Sequence, residues 1–313
     1  MLIRLTTADL IVELDPGRGA DVLALVDVRT GVDVLFRTPW RERADAIRHG
    51  QAPSTVDPTA TWMEQYRGGW QTLCPSAGEP RTIHGAPVSF HGEASVVPWT
   101  VDEVTATSAR LHVDLFSLPI RIDRTLTVEA SALHQVDVLT NLSDVPLGFD
   151  YSNHPAFGGA FLEGECRIET GATRFTSSEG RENAIVAGSV NEWPWAAGSD
   201  GKPVDLRVLP SAGHPREILG WLSDFTEHWA SIANTRLDVA VRLEWDGAHV
   251  PYAWFWQELN AGAEAPWFRR ARAAAIEPAS MTTDRARGSA LALAGGASVT
   301  LPLTVALERP EAG

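Results

Sequence analysis

Three stretches dense in glycine, proline and aromatic residues each surround a group that can carry a proton. The first runs Gly68-Gly69-Trp70-Gln71-Thr72-Leu73-Cys74-Pro75-Ser76-Ala77-Gly78 and is followed by Phe90-His91-Gly92-Glu93-Ala94. The second is Tyr151-Ser152-Asn153-His154-Pro155-Ala156-Phe157-Gly158-Gly159. The third is Ala275-Ile276-Glu277-Pro278-Ala279-Ser280-Met281-Thr282, preceded by Trp254-Phe255-Trp256-Gln257. Together they supply two imidazoles and a carboxylate, the minimum set for general acid and base catalysis on a polar, uncharged substrate.

Other chemistries fail on spacing. Gly17-Arg18-Gly19 lacks the third glycine and the following helix of a dinucleotide fingerprint, so it reads as a turn between strands. His91-Gly92-Glu93 carries the histidine and glutamate of a zinc deaminase, but no Pro-Cys-x-x-Cys supplies the two thiolates. A phosphate loop, a serine nucleophile elbow, a His-Glu-x-x-His zinc helix and a calcium loop are also missing from the sequence. Cys74 and Cys166 are too few for a disulfide framework or a thiolate zinc site, and two reduced thiols are expected. The sequence calls for no cofactor and no metal.

The elements that must position these groups are strands. Leu237, Val239, Val241, Leu243 and Trp245 alternate with polar or small residues from Arg236 to Trp245, the pattern of a half-buried strand. The same period returns at Leu111, Val113 and Leu115, at Ile120, Ile122, Leu126 and Val128, and from Val299 to Leu307. Pro302 cannot donate to a ladder, which predicts an edge strand or a proline turned away from its partner. Helical signal is confined to Arg41–Tyr66, where Pro53, Ser54 and Pro58 allow only short helices. Without a βαβ rhythm, a repeat or a linker, residues 1–313 read as a single all-β domain, a large and mostly antiparallel sandwich whose concave face offers a pocket.

Composition narrows the partners. The 313 residues carry 26 basic and 40 acidic side chains, a net charge of −14, so phosphate backbones and anionic membranes are repelled. Neither nucleic acid nor a membrane is an expected partner. No apolar run approaches the roughly 18 residues of a spanning helix, and Met1–Asp15 has no secretion pattern, so a cytoplasmic monomer or homodimer is expected. Twelve tryptophans against three tyrosines mean either bulky core packing or flat apolar faces for a ligand to stack on.

The Gly-Gly-Trp-Gln…Pro-x-Ala-Gly run ending in Phe-His-Gly-Glu-Ala, the Asn-His-Pro-Ala-Phe-Gly segment and the Ile-Glu-Pro near the C-terminus resemble the aldose 1-epimerases of the galactose mutarotase-like superfamily. The resemblance spans Leu2 to Leu307. It implies a β-supersandwich and a site for a free, neutral monosaccharide whose α and β anomers interconvert by ring opening. It further implies that His154 is the general acid, Glu277 the general base and His91 a substrate-binding histidine. Gln71, Arg81, Trp256 and Gln257 are the remaining substrate-binding candidates. Trp256 and Gln257 are neighbours on one strand, so at most one of them can line a given surface. The aspartate the family places between the second histidine and the base has three candidates, Asp224, Asp238 and Asp246. At ordinary pKa values of about 4.3 and 6.5, the glutamate is ionised at neutral pH and the imidazole can give and regain a proton.

Two rivals share this reading of the fold: a binding module that uses His154 and Glu277 only to hold sugar hydroxyls, and another carbohydrate-active enzyme. A glycosidase needs two facing carboxylates, and the motifs nominate only Glu277. Because no metal-spaced histidine or cysteine set is present, sugar turnover is expected to survive chelators. Loss of activity in chelator, restored by one added divalent ion, would contradict that expectation.

Overall fold

The computed structural model describes residues 2–179, 184–282 and 291–310. Among them eighteen strands join into one antiparallel sheet that folds over into two facing layers. The front layer passes through the strands Ile3–Thr6, Leu10–Asp15, Asp21–Asp27, Trp70–Leu73, Ser152–Gly158, Arg272–Ala279 and Tyr252–Leu259. The back layer runs Val239–Trp245, Ser298–Glu308, Ala132–Asn141, Ile120–Glu129 and Ser108–Asp114. One long strand, Arg216–Asn234, joins them: residues 216–222 pair with Tyr252–Leu259 and residues 229–234 with Val239–Trp245. Leucine, isoleucine, valine and phenylalanine from the facing sides fill the space between.

The alternating segments are strands, with instructive edges. Leu237 belongs to a turn rather than to the strand, because Asp238 has a positive φ of 55° and the chain reverses there before Val239. Pro302 lies inside the sheet, on a strand with neighbours on both sides. It is tolerated because Trp245, paired with Leu303, is the last residue of the neighbouring strand on one side, so little ladder is lost. The two helices are short, Arg41–Arg48 and Pro58–Gln65. The second starts where Asp57 accepts the amide of Ala60 at 2.8 Å and Pro58 occupies the first turn, where its missing N–H costs nothing.

A buried polar chain ties the layers together. Arg124 donates to both carboxylate oxygens of Asp137 at 2.8 and 2.6 Å, and both side chains are shut away from solvent. Asp137 also accepts the Tyr151 hydroxyl at 2.8 Å, and Tyr151 in turn accepts Asn153 Nδ2 at 2.9 Å. Asn153 Oδ1 takes Trp70 Nε1 and Gln135 Nε2, each at 2.9 Å. Arg124 reaches Thr72 as well and lies against the Trp99 ring. Back-layer Arg124, Gln135 and Asp137 thus hold front-layer Trp70, Thr72 and Asn153 in register.

Removing one member of a buried ion pair strands the other charge, at a cost of about 3–5 kcal/mol, whereas replacing both with apolar groups is often neutral. Asp137→Ala is therefore expected to lower the urea midpoint sharply, with Arg124→Met/Asp137→Leu recovering most of the loss. Equal midpoints for Asp137→Ala and the natural protein would show that the pair does not stabilise the layers.

Candidate functional site

His154 lies on Ser152–Gly158 and Glu277 on the adjacent Arg272–Ala279. The strand register pairs Ser152 with Ala279 and Ala156 with Ala275, which sets His154 opposite Glu277 on the same face. Their side chains meet, His154 Nε2 to Glu277 Oε1 at 3.5 Å, and they are 7% and 4% exposed. Pro155 and Pro278 stand beside them and have no N–H, so the ladder cannot close at those two positions.

Alternation explains how one motif serves two layers. Asn153 points back into the polar chain under the sheet, and His154, its neighbour, points forward. On the glutamate strand Ala274 and Ile276 join the main core, while Ala273, Ala275 and Glu277 face forward. The small Ala156, Ala273 and Ala275 leave room for Phe36, Trp62, Tyr66, Trp256 and Trp267 to pack as a second apolar cluster. Trp62 and Tyr66, one helical turn apart, stack at 4.9 Å and carry the helix Pro58–Gln65 onto this face.

The forward face opens into a cavity of about 830 Å³ that includes His91, His154, Glu277, Tyr66 and Trp256 in its wall. His91 and His154 have ring centroids 5.7 Å apart. His91 is held by its own loop: its amide donates to the Gly78 carbonyl at 2.9 Å, and its Nδ1 accepts the Gly78 amide at 3.0 Å. In a neutral ring that places the proton on Nε2. Gly92 must be glycine, since with a φ of 74° a Cβ there would stand 2.4 Å from the Cys74 carbonyl oxygen.

Burial resets the proton affinities of the central pair. Desolvation pushes Glu277 up to about 8 and His154 down to about 4. The ordinary values used on the sequence alone do not apply here. At neutral pH the two groups hold one proton between them, and desolvation favours the uncharged arrangement with that proton on Glu277. The Tyr66 hydroxyl, also buried on the cavity wall, has no hydrogen-bond partner among the described residues, and its pKa is raised by desolvation and then by Glu277.

The remaining candidates divide. Trp256 is on the cavity wall beside His154, ring centroids 6.1 Å apart. Gln257 faces the other way, buried, accepting Arg216 Nε at 2.9 Å. Gln71 sits across from His154 in the register, but its Nε2 turns back to the Gly68 carbonyl at 2.9 Å, away from the cavity wall. Arg81 is paired with Asp150 and donates to Ser76 Oγ at 3.1 Å, likewise off the wall. Asp224, Asp238 and Asp246 are engaged elsewhere with Arg174, Arg29 and His249. Tyr66 and Trp221 on the wall escaped the sequence reading, since nothing in their local sequence ties them to His154. Among the described residues no group of three or more histidine, cysteine, aspartate or glutamate side chains could hold a metal ion.

A neutral carboxylic acid and a neutral imidazole side by side on one aromatic-walled cavity can move a proton between two oxygens of a polyhydroxylated ligand. The architecture around them is that of the galactose mutarotase-like proteins. A galactose mutarotase-like protein from Clostridium acetobutylicum superposes with a TM-score of 0.67 at 19% identity, over 99% of this chain and 95% of that one. A second, from Lactobacillus casei, gives 0.67 at 18% identity over 98% and 100%. A GalM/aldose epimerase homologue from C. elegans gives 0.65 at 14% identity over 99% of each chain. No family model matches the sequence, and no curated protein matches it. The chain has the galactose mutarotase-like fold.

Because the folded pKa of Glu277 stands above its unfolded value of 4.5, folding must hold the proton on an acid that the unfolded chain would release. The penalty is absent below that value and grows as pH rises toward 8. Glu277→Gln removes it. At about 1.36 kcal/mol per pKa unit, the variant should exceed the natural protein by a few kcal/mol at pH 7 and by little near pH 4.5. Urea midpoints across that range test this, and a gain independent of pH would contradict the buried-acid assignment.

Proposed function

We propose that this protein is an aldose 1-epimerase, an isomerase that interconverts the α and β anomers of a sugar with a free reducing end. The observation that carries the reading is the buried His154–Glu277 pair, 3.5 Å apart and sharing one proton at neutral pH, at the wall of an aromatic cavity. The galactose mutarotase-like fold and the three motifs support it.

Ring opening takes the proton from the anomeric hydroxyl and delivers one to the ring oxygen as the C1–O5 bond breaks. With the shared proton on Glu277, the carboxylic acid protonates the ring oxygen while His154 Nε2 accepts the hydroxyl proton. The aldehyde turns about C1–C2, and the reverse transfers close the ring on the other face, so the pair ends as it began. With the proton on His154 instead, the imidazole is the acid and the carboxylate the base, the assignment the family resemblance implies. Sugar hydroxyls donating to the carboxylate stabilise its ionised form and favour that second distribution. His91, on the same cavity wall, orients the sugar, and no step uses a cofactor.

Either distribution needs one proton on the pair. Turnover is expected to fall below about pH 4, where His154 gains a second proton, and above about pH 8, where Glu277 loses the only one. Glu277→Gln and His154→Gln should each lower the rate of anomer exchange by about 10² or more, while affinity drops by no more than the ~0.5–1.5 kcal/mol of one hydrogen bond. Exchange followed by NMR and affinity by calorimetry on the same samples separate catalyst from binder: unchanged exchange with badly weakened binding favours the binding module.

A further inference from the structure

The cavity is larger than its chemistry requires. At about 830 Å³ it lies toward the upper end of the roughly 300–1,000 Å³ that accommodates drug-sized ligands. One pyranose ring fills only a fraction of that volume.

The strand registers show how the remaining space is organised. Glu277 pairs with Trp254, Trp254 with Trp221, and Trp221 with Thr176. These four residues, with His154 opposite Glu277, form one transverse row across five adjacent strands, and every member is on the cavity wall. Neighbouring strands are about 4.8 Å apart, so Trp254 and Trp221 stand roughly one and two such steps from the acid–base pair. That repeat is close to the length of one sugar unit in a chain. Both indoles are only half-buried, unlike Trp256. Trp254 is fixed in orientation, its Nε1 donating to the Met281 carbonyl at 2.9 Å. Beyond Trp221 the wall becomes polar, with Thr176, Ser178 and the exposed Glu179.

A proton-transfer centre, two flat apolar platforms at strand spacing, and a polar end match a short sugar chain, whose rings present apolar C–H faces and hydroxylated edges. We infer that this site takes the reducing end of an oligosaccharide, with the second and third rings stacked on Trp254 and Trp221. The inference rests on the epimerase reading for the role of the first ring only. A branch through the hydroxyl at C4, on the far side of the ring from C1, carries the chain along the row and leaves the anomeric carbon at His154 and Glu277.

The test compares glucose with its 1,4-linked di- and trisaccharides, measuring anomer exchange by NMR and binding by calorimetry. The expected result is a KM about tenfold lower for the trisaccharide than for glucose at similar kcat, as stacking one or two rings would produce. Trp221→Ala should collapse that ratio toward one, and Trp221→Phe, which keeps a flat ring, should retain part of it. Equal KM values for glucose and the trisaccharide, or a ratio indifferent to Trp221→Ala, would overturn the track and leave the epimerase reading standing. If no sugar exchanges, the epimerase reading fails and calorimetry decides the track alone. Tighter trisaccharide binding that Trp221→Ala abolishes supports it, and equal or absent binding overturns it.

Discussion

The site depends on a polar chain that never reaches it. Arg124 and Asp137, buried between the layers, fix Tyr151, and Tyr151 fixes Asn153. Because successive side chains on a strand point to opposite faces, holding Asn153 down holds His154 up. A buried ion pair gains little net stability over a well-packed apolar core, but losing either member is costly. The arrangement thus sets the rotation of the histidine strand with a strictness that apolar packing, which tolerates shifts and substitutions of similar volume, would not impose.

The second constraint is the dry surround of His154 and Glu277. Five large aromatic rings pack over Ala156, Ala273 and Ala275, and the helix Pro58–Gln65 and the residue that caps its end contribute two of them, Trp62 and Tyr66. Excluding water works against both charged forms, raising the acid and lowering the base until the pair is neutral. The same exclusion that destabilises the folded state at neutral pH keeps a proton donor and a proton acceptor 3.5 Å apart without collapsing them into a permanent ion pair. In the proposed mechanism, function and stability pull in opposite directions at Glu277.

Strand register carries the third relationship. Thr176, Trp221, Trp254 and Glu277 come from four strands spread over a hundred residues, yet antiparallel pairing lines them up on one face. A shift of one residue in any of those pairings would turn the row's indoles into the core and bring their neighbours out. Large cavities in sheet proteins acquire ordered walls in this way, by cross-strand repetition rather than by a contiguous motif.

Much of this protein could be read from its residues. The period-two alternation at Leu111–Leu115, Ile120–Val128 and Val299–Leu307 announced strands because one face of each must be apolar. The prolines between Gln51 and Pro58 limited that stretch to short helices because proline cannot continue one. The Asn-His-Pro and Ile-Glu-Pro segments marked the acid–base candidates, and adjacency on a strand required Trp256 and Gln257 to part, as they do. What pairs with what was decided elsewhere. Gln71 and Arg81 belong to a suggestive motif, but the Gly68 carbonyl and Asp150 claim them in three dimensions. The pKa inversion at His154 and Glu277 comes from burial by distant aromatics, and Trp221 joins the site only through register. Local sequence sets the conformation and polarity a segment can bear. Desolvation and cross-strand neighbours are sums over the whole fold, and only tertiary structure supplies them.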